Sequence, residues 1–329
     1  MRAFARATAF ASSRCGQDFE TARVTQGVEM IVATRPLTPA HTFGPTQDQL
    51  AALRAWLSGD LITAEHSDYD AARAVLYLTV DRRPLAVVRA LSAQDVAAAV
   101  AFARDHAVPL AVRSGGHSLA HLSTIDDAIV VDLAGMKGVS VDPAARVARV
   151  GAGATSGDLA GPANAHGLAL STGDTHSVGF GGLVTGGGIG FMVRKYGLTI
   201  DSLVAARVVT AAGAIVTASA DEHPDLFWAI RGGGGNFGIV TEFTFRLAPV
   251  GQILGGDLLL PASREVIRGY LDYVATAPDG LTTIANLLHA PPAPYVPADR
   301  VGALALSILV YWAGDPAEGA RALGGVARP

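Results

Sequence analysis

Gly173-Asp-Thr-His-Ser-Val-Gly-Phe-Gly-Gly-Leu-Val-Thr-Gly-Gly-Gly-Ile-Gly190 is the stretch whose reading decides the fold, and eight of its eighteen residues are glycine. Such a run buries little side-chain area, and each glycine loses more backbone entropy on folding than any other residue. The compensating gain is a backbone that reaches positive φ and comes close to a ligand, where successive N–H groups form anion-binding concavities. A second glycine loop, Arg113-Ser-Gly-Gly-His-Ser118, lies upstream, and a third, Gly232-Gly-Gly-Gly-Asn-Phe-Gly238, lies downstream. Three glycine loops separated by β-like segments predict a phosphate-containing cofactor held by loops that converge in space.

The chain has 329 residues, more than one core usually serves, so two domains are expected. Half the residues are hydrophobic and 16% are charged, a soluble globular balance. A net charge of −4 without a basic run favours neither nucleic acid nor an anionic membrane as partner. The longest apolar runs fall short of the ~20 residues a spanning helix needs. Cys15 is the single cysteine, which excludes an internal disulfide or a cysteine-based zinc site; a cytoplasmic location is expected. Residues 1–45 are rich in Ala, Arg, Ser and Thr and read as a disordered extension, with a targeting segment as the alternative.

Along the chain, Gln47–Leu57 reads as a helix and Leu85–Arg89 as a strand. Ser92 caps a helix ending near His106, with Asp95 completing a capping box and Val96, Val100 and Phe102 turned to the core. Leu110–Arg113 is the next strand, parallel to the first, and the RSGGHS loop leaves its carboxyl end, where ligands bind parallel sheets. Strands follow at Ile129–Leu133, Val139–Val141 and Arg146–Val150, then a short helix at Asp158–His166 containing Pro162. Ala212-Gly213 turns a hairpin, Pro224–Ile230 is a helix, and Ile239–Leu247 alternates as a half-buried strand. Beyond Gly251, strands at Ile253–Leu260, Leu281–Leu288 and Ala303–Tyr311 and a helix at Ser263–Ala275 open a second domain. A further helix begins at Gly314-Asp-Pro-Ala-Glu318. The residues after Tyr311 are expected to be too few to pair the free edge of that strand and cover its face.

A P-loop requires Lys-Ser or Lys-Thr after its last glycine, and none of the loops has it. Gly233–Gly238 spells G-x-G-x-x-G, but a helix precedes it and a strand follows, the reverse of the dinucleotide-binding unit. Glycine used only for tight turns remains the bland alternative. His117, directly after Ser-Gly-Gly, is the residue to single out: an imidazole there could serve as base, hydrogen-bond donor or covalent nucleophile. Metal ligation by His117 and His121 lacks an acidic partner, so no metal is expected.

These strings resemble the FAD-linked oxidases of the vanillyl-alcohol-oxidase (PCMH-type) fold, in particular the berberine-bridge-enzyme-like branch. The matching segments are Arg113–Ser118, Val178–Gly182 with Gly186–Gly190, Arg194-Lys-Tyr-Gly-Leu198, and Asp225–Thr241, in order and spacing from about Asp60 to Leu247. The resemblance implies an α+β protein: a two-subdomain FAD-binding domain over residues 46–250, then an incomplete antiparallel-sheet substrate domain over 251–329. It implies FAD as cofactor, with His117 as the residue bonded to the flavin 8α-methyl. It assigns cofactor contacts to Arg113, Ser114, Gly115, Gly116 and Ser118, to Gly173, Asp174, Thr175, Ser177, Gly181 and Gly182, to Gly187 and Gly190, and to Ile239 and Val240. Thr175 stands where doubly linked members carry cysteine, so one flavin link is expected. A covalent imidazole retains the cofactor and raises its potential; FAD carries the hydride chemistry, and the protein supplies grip and orientation.

The family's substrate domain continues past the position of Pro329, and its catalytic base comes from there, so the chain reads as C-terminally shortened and no catalytic residue is assigned. Tyr196, Tyr270 and Tyr311 read as packing residues. The leading function is a flavin-dependent oxidase or dehydrogenase removing a hydride from an alcohol, sugar or cyclic amine, with O₂ or another electron acceptor. The alternative is a non-catalytic FAD-binding remnant, and on either reading a shortened chain is expected to turn over poorly. A reductase with non-covalent FAD is disfavoured by His117 and the RGGGGNFG string.

Overall fold

The computed structural model describes residues 44–77 and 79–326. The expected N-terminal extension up to residue 43, and Cys15 with it, lies outside the described residues. Helix α1 (Gln47–Trp56) starts at a capping box between Thr46 and Gln49. Strand β1 (Asp60–Thr63), helix α2 (Tyr69–Arg73), strand β2 (Ala86–Arg89), helix α3 (Ala93–Asp105) and strands β3 (Leu110–Arg113) and β4 (Ile129–Asp132) follow. They form a four-stranded sheet in the order β1-β2-β4-β3, with β2 and β3 both parallel to β4. The strand–helix–strand unit is therefore parallel as expected, with β4 inserted between its two strands.

Strands β5 (Val139–Asp142) and β6 (Val147–Gly151), helix α4 (Ser156–Asn164), strand β7 (Leu168–Ala169) and short helices α5 (Phe180–Thr185) and α6 (Val193–Tyr196) come next. Strands β8 (Leu203–Val209) and β9 (Ile215–Ser219), helix α7 (Pro224–Ile230) and strands β10 (Ile239–Arg246) and β11 (Ala248–Pro249) complete this part. A five-stranded antiparallel sheet runs β5-β6-β10-β8-β9. Its central strand β10 buries Phe243 and Phe245 fully while Arg246 faces solvent, the alternation the sequence displays. One apolar core joins both sheets, with Val88, Val131, Val150, Phe180 and Phe243 among its fully buried members.

Val96 of α3 is fully buried and Val100 and Phe102 pack half-buried against the core, as expected, while Ala93, Ala99 and Ala103 complete the buried stripe. Small residues at helical spacing let the helix lie close to the sheets, which leaves the larger side chains at the margin.

Strand β12 (Ile253–Pro261), helix α8 (Arg264–Val274), strands β13 (Leu281–His289) and β14 (Leu304–Ala313) and helix α9 (Pro316–Val326) form the last layer. The order β12-β14-β13 corrects the expectation of an unpaired, uncovered last strand. Being last in sequence, β14 inserts between its two predecessors, so both of its edges are paired. Leu306, Ile308, Val310 and Trp312 pack on its helix face with Tyr270 and Val274 of α8 and Ala322 of α9. The outer edges belong to β12 and β13.

Asp95 ties the first layer together. It is 1% exposed, and its carboxylate accepts from the Ser58 amide (2.8 Å), the Ser58 hydroxyl, the Leu91 amide (2.8 Å) and the Ser92 amide (3.2 Å). Burial opposes its ionisation, but the Leu91 and Ser58 donors outweigh burial and hold the carboxyl below its ordinary value of 3.8. A depressed folded value contributes stability above the unfolded pKa, which is lost as pH falls through the folded one. Asp95→Ala should lower the unfolding free energy by about 1–3 kcal/mol at neutral pH. The gap to the parent chain should narrow only below pH 3.8, as urea titrations across pH would show.

Candidate functional site

The RSGGHS loop is set by the end of β3. Arg113 lies opposite Asp132 in the parallel register, and the two side chains form a buried ion pair at 2.7 Å, with 9% and 7% of each exposed. The Arg113 guanidinium also donates to Ala74 O (2.9 Å), and Asp132 accepts from the Ala134 amide (3.1 Å). Arg113 thus secures the loop through its side chain instead of presenting it to a ligand. Removing one partner of such a buried pair leaves an uncompensated charge, at about 3–5 kcal/mol.

The central glycine stretch enters from the other side. Residues 176–181 run antiparallel to 152–157: Ser156 N donates to Val178 O (3.0 Å), Gly157 N to His176 O (3.0 Å), Phe180 N to Ala154 O (2.8 Å) and Gly181 N to Ala152 O (3.0 Å). This ladder is anchored by the capping box of Thr155 and Asp158 at the start of α4. The Thr155 amide holds the Asp158 carboxyl below its ordinary range, against burial.

The two loops cross where both residues are glycine. A Cβ on Gly115 would lie 2.4 Å from Gly179 N, and one on Gly179 would lie 2.2 Å from Ser114 Oγ and 2.3 Å from Gly115 N. Backbone meets backbone there, and no other residue fits. The Ser114 hydroxyl donates to Ala152 O (2.6 Å) and accepts from Gly181 N (3.3 Å), joining all three segments. Gly116 has φ +71°, so the loop turns outward directly after the crossing. Among the described residues, the backbone N–H groups of Gly115, Gly116, His117 and Ser118 have no hydrogen-bond acceptor.

These groups border a cleft of about 1360 Å³, above the ~300–1,000 Å³ of ordinary ligand pockets. Its walls come from the end of β3, the start of α5, the end of β8 and the third glycine loop with the start of β10. Ser114, Gly115, Gly116, His117, Ser118, Gly181, Gly182, Ile239 and Val240 line it. Gly173, Asp174, Thr175, Ser177, Gly187 and Gly190 do not, although Ser177 Oγ is 3.0 Å from His117 Nε2. Gly190 is packed against Thr172 O, and Gly187 borders Leu198. Thr210 and Asn236 also line the cleft; the third loop was legible as a glycine run, whereas the end of β8 carries no local signal. Among the described residues the lining holds one arginine, Arg104, and no carboxylate, so it suits an anionic ligand.

The tyrosines pack. Tyr270 shares a hydrogen bond with Thr283 (2.7 Å), Tyr196 donates to Pro249 O (2.9 Å), and Tyr311 stacks on Phe191 at 5.3 Å. Burial, reinforced by Tyr196, pushes the Tyr311 phenol up. Among the described residues no helix is long and apolar enough to cross a membrane.

A residue free of side chain in the crossing gives a sharp test. Gly179→Ala should lose about 1–3 kcal/mol by overpacking. Gly182→Ala, three positions on with open space around the added methyl, should stay within about 0.5 kcal/mol. Urea unfolding of the two variants makes the comparison.

Comparison with known proteins places this geometry. The sequence family described as an FAD binding domain matches residues 84–219. (R)-6-hydroxynicotine oxidase of Paenarthrobacter nicotinovorans is 38% identical over 255 residues, 77% of this chain and 55% of the relative. The crystal structure of 6-hydroxy-D-nicotine oxidase from Arthrobacter nicotinovorans superposes with a TM-score of 0.76 at 34% identity, covering 83% of this chain and 59% of that one. The BBE-like 1 protein of Physcomitrella patens gives 0.75 at 28% identity, covering 84% and 59%. The chain thus spans less than two thirds of the length of these relatives.

Proposed function

Because the chain belongs to the FAD-binding proteins of the vanillyl-alcohol-oxidase (PCMH-type) fold, with berberine-bridge-enzyme-like relatives, we propose that it is an FAD-dependent oxidoreductase of small organic substrates. The observation that carries this reading is the Gly115–Gly179 crossing, with the run of unpaired N–H groups from Gly115 to Ser118 directly beside it. Its fit to FAD rests on three features: a backbone cradle a Cβ would fill, N–H donors without acceptors, and a large cleft free of carboxylates among the described residues. Two phosphates are held at low desolvation loss by such donors, which need no flexible lysine.

In this assignment Ser114 to Ser118, with Gly181 and Gly182, hold the pyrophosphate and flavin side, and Ile239 and Val240 border the adenine end. Bound FAD supplies hydride acceptance. His117 forms the single covalent link to it. The division into a cofactor part (46–250) and a substrate part (251–329) belongs to the same proposal, supported by the separate core around β14. The face of that sheet turned away from α8 and α9 carries Asp257, whose carboxylate accepts from the Ser307 hydroxyl at 2.9 Å, and we assign this face to the substrate. The substrate class is an alcohol, sugar or cyclic amine; the nicotine oxidase name of one relative supports the last of these. The electron acceptor is O₂ or another two-electron oxidant.

Purified protein should be yellow, and the denatured band should keep flavin fluorescence on a gel. His117→Ala should lose that fluorescence while still taking up FAD reversibly. A protein that stays colourless after refolding with FAD refutes the cofactor, and fluorescence retained in His117→Ala refutes the link. Anaerobic flavin bleaching over an alcohol, sugar and amine panel then identifies the substrate class.

A further inference from the structure

A second cavity, of about 330 Å³, shares no lining residue with the cleft. One wall is a single face of α4: Ser156, Leu159, Ala160, Ala163 and Asn164 recur at the three- and four-residue steps that stack side chains on a helix. Leu159 and Ala163 are buried and form the floor, while Ala160 and Asn164 are exposed and form the rim. The other walls come from Thr172 at the entry to the central glycine stretch, from Met192 ahead of α6, and from Val250, Ile253 and Tyr311.

Among the described residues this lining holds no Lys, Arg, His, Asp or Glu. An ion entering it would give up its water without gaining a partner of opposite charge. Ser156 supplies the directional feature. Its amide is committed to Val178 O (3.0 Å), which fixes the backbone, and the residue is 7% exposed. Its hydroxyl has no hydrogen-bond partner among the described residues. Buried hydroxyls are nearly always paired in folded proteins, so one left open on a cavity wall calls for a partner inside the cavity. Burial, reinforced by Tyr196, raises the Tyr311 phenol, so a second hydroxyl on the wall stays an intact O–H at neutral pH.

We propose that this cavity binds a small uncharged ring compound, of one or two fused rings bearing a hydroxyl or carbonyl group, whose polar atom bonds to the Ser156 hydroxyl. Size sets the ring count, since an apolar cavity of about 150 Å³ already holds benzene. Leu159, Ala163, Met192 and Ile253 offer the ring an apolar bed, where water would lack the several polar partners it needs. The inference stands apart from the cofactor assignment, because the two linings have no residue in common.

The probes are 2-naphthol and its charged counterpart 2-naphthoate, titrated into purified protein carrying ¹³C-methyl methionine. Met192 reports from the cavity wall, and Met136, packed against the main core, controls for folding. The Met192 methyl signal, assigned by its loss in Met192→Leu, should shift saturably with 2-naphthol at a Kd of about 0.1–1 mM, the range for a ligand of this size. The Met136 signal should stay in place. 2-Naphthoate should bind at least tenfold more weakly. Ser156→Ala should weaken 2-naphthol binding at least fivefold, and Ala160→Trp, at the exposed rim, should abolish it. Absence of a saturable Met192 shift in the parent chain overturns the proposal whatever the variants do. So does equal affinity for 2-naphthoate, or parent-like 2-naphthol binding in Ser156→Ala or Ala160→Trp.

Discussion

Everything at the candidate site depends on two stretches of backbone passing each other without side chains between them. Gly115 and Gly179 are too close for any Cβ, so the loop after β3 and the approach to α5 share one position in space. Each is fixed independently on its own side. The first is tied to the parallel sheet by the Arg113–Asp132 pair, the second to residues 152–157 by a backbone ladder. The crossing converts these two anchors into one rigid corner. The residues just beyond it line the cleft with N–H groups that have no acceptor among the described residues, and preorganised donors of that kind bind charge without further reorganisation.

The electrostatics follow the same division. The strong charges near the site are paired and buried behind the loop, where Arg113 serves Asp132 and the Ala74 carbonyl. Among the described residues the cleft itself carries Arg104, no carboxylate, and partial positive charge from amides. A dinucleotide with two phosphates enters such a place without meeting a carboxylate, and the low polarity of the walls strengthens each amide contact.

The elements with regular period were legible in the sequence. The capping box at Ser92, the hairpin at Gly213 and the alternation of β10 came directly from local chemistry. What resisted reading was set by distant contacts. β1 and α2 have weak local patterns: β1 pairs with β2 and follows Ser58, which Asp95 holds, while α2 is tied by Tyr69, whose hydroxyl donates to Pro84 O. The placement of β14 between β12 and β13 has no local signature, since any apolar strand could take an edge or a centre. At the site, glycine loops and His117 were visible as a set, but a glycine that packs, such as Gly190, looks identical in sequence to one that lines a cleft. Arg113 carries the same ambiguity: only the register with Asp132 reveals that its charge is already used.

One contact set bears on how such a scaffold changes over time. The segment around α6 grips the last sheet by its main chain: Arg194 donates to Ala277 O (2.7 Å) and Leu281 O (3.1 Å), and Lys195 donates to Ala313 O (2.6 Å). Carbonyl oxygens are present whatever side chain a residue carries. Substitutions along β13 and β14 therefore leave these three attachments unchanged, and the sheet keeps its station against the segment around α6. Apart from Tyr311, which stacks on Phe191, the side chains on its open face take no part in these attachments, so selection can rewrite that surface for new chemistry while the geometry that delivers it is inherited intact.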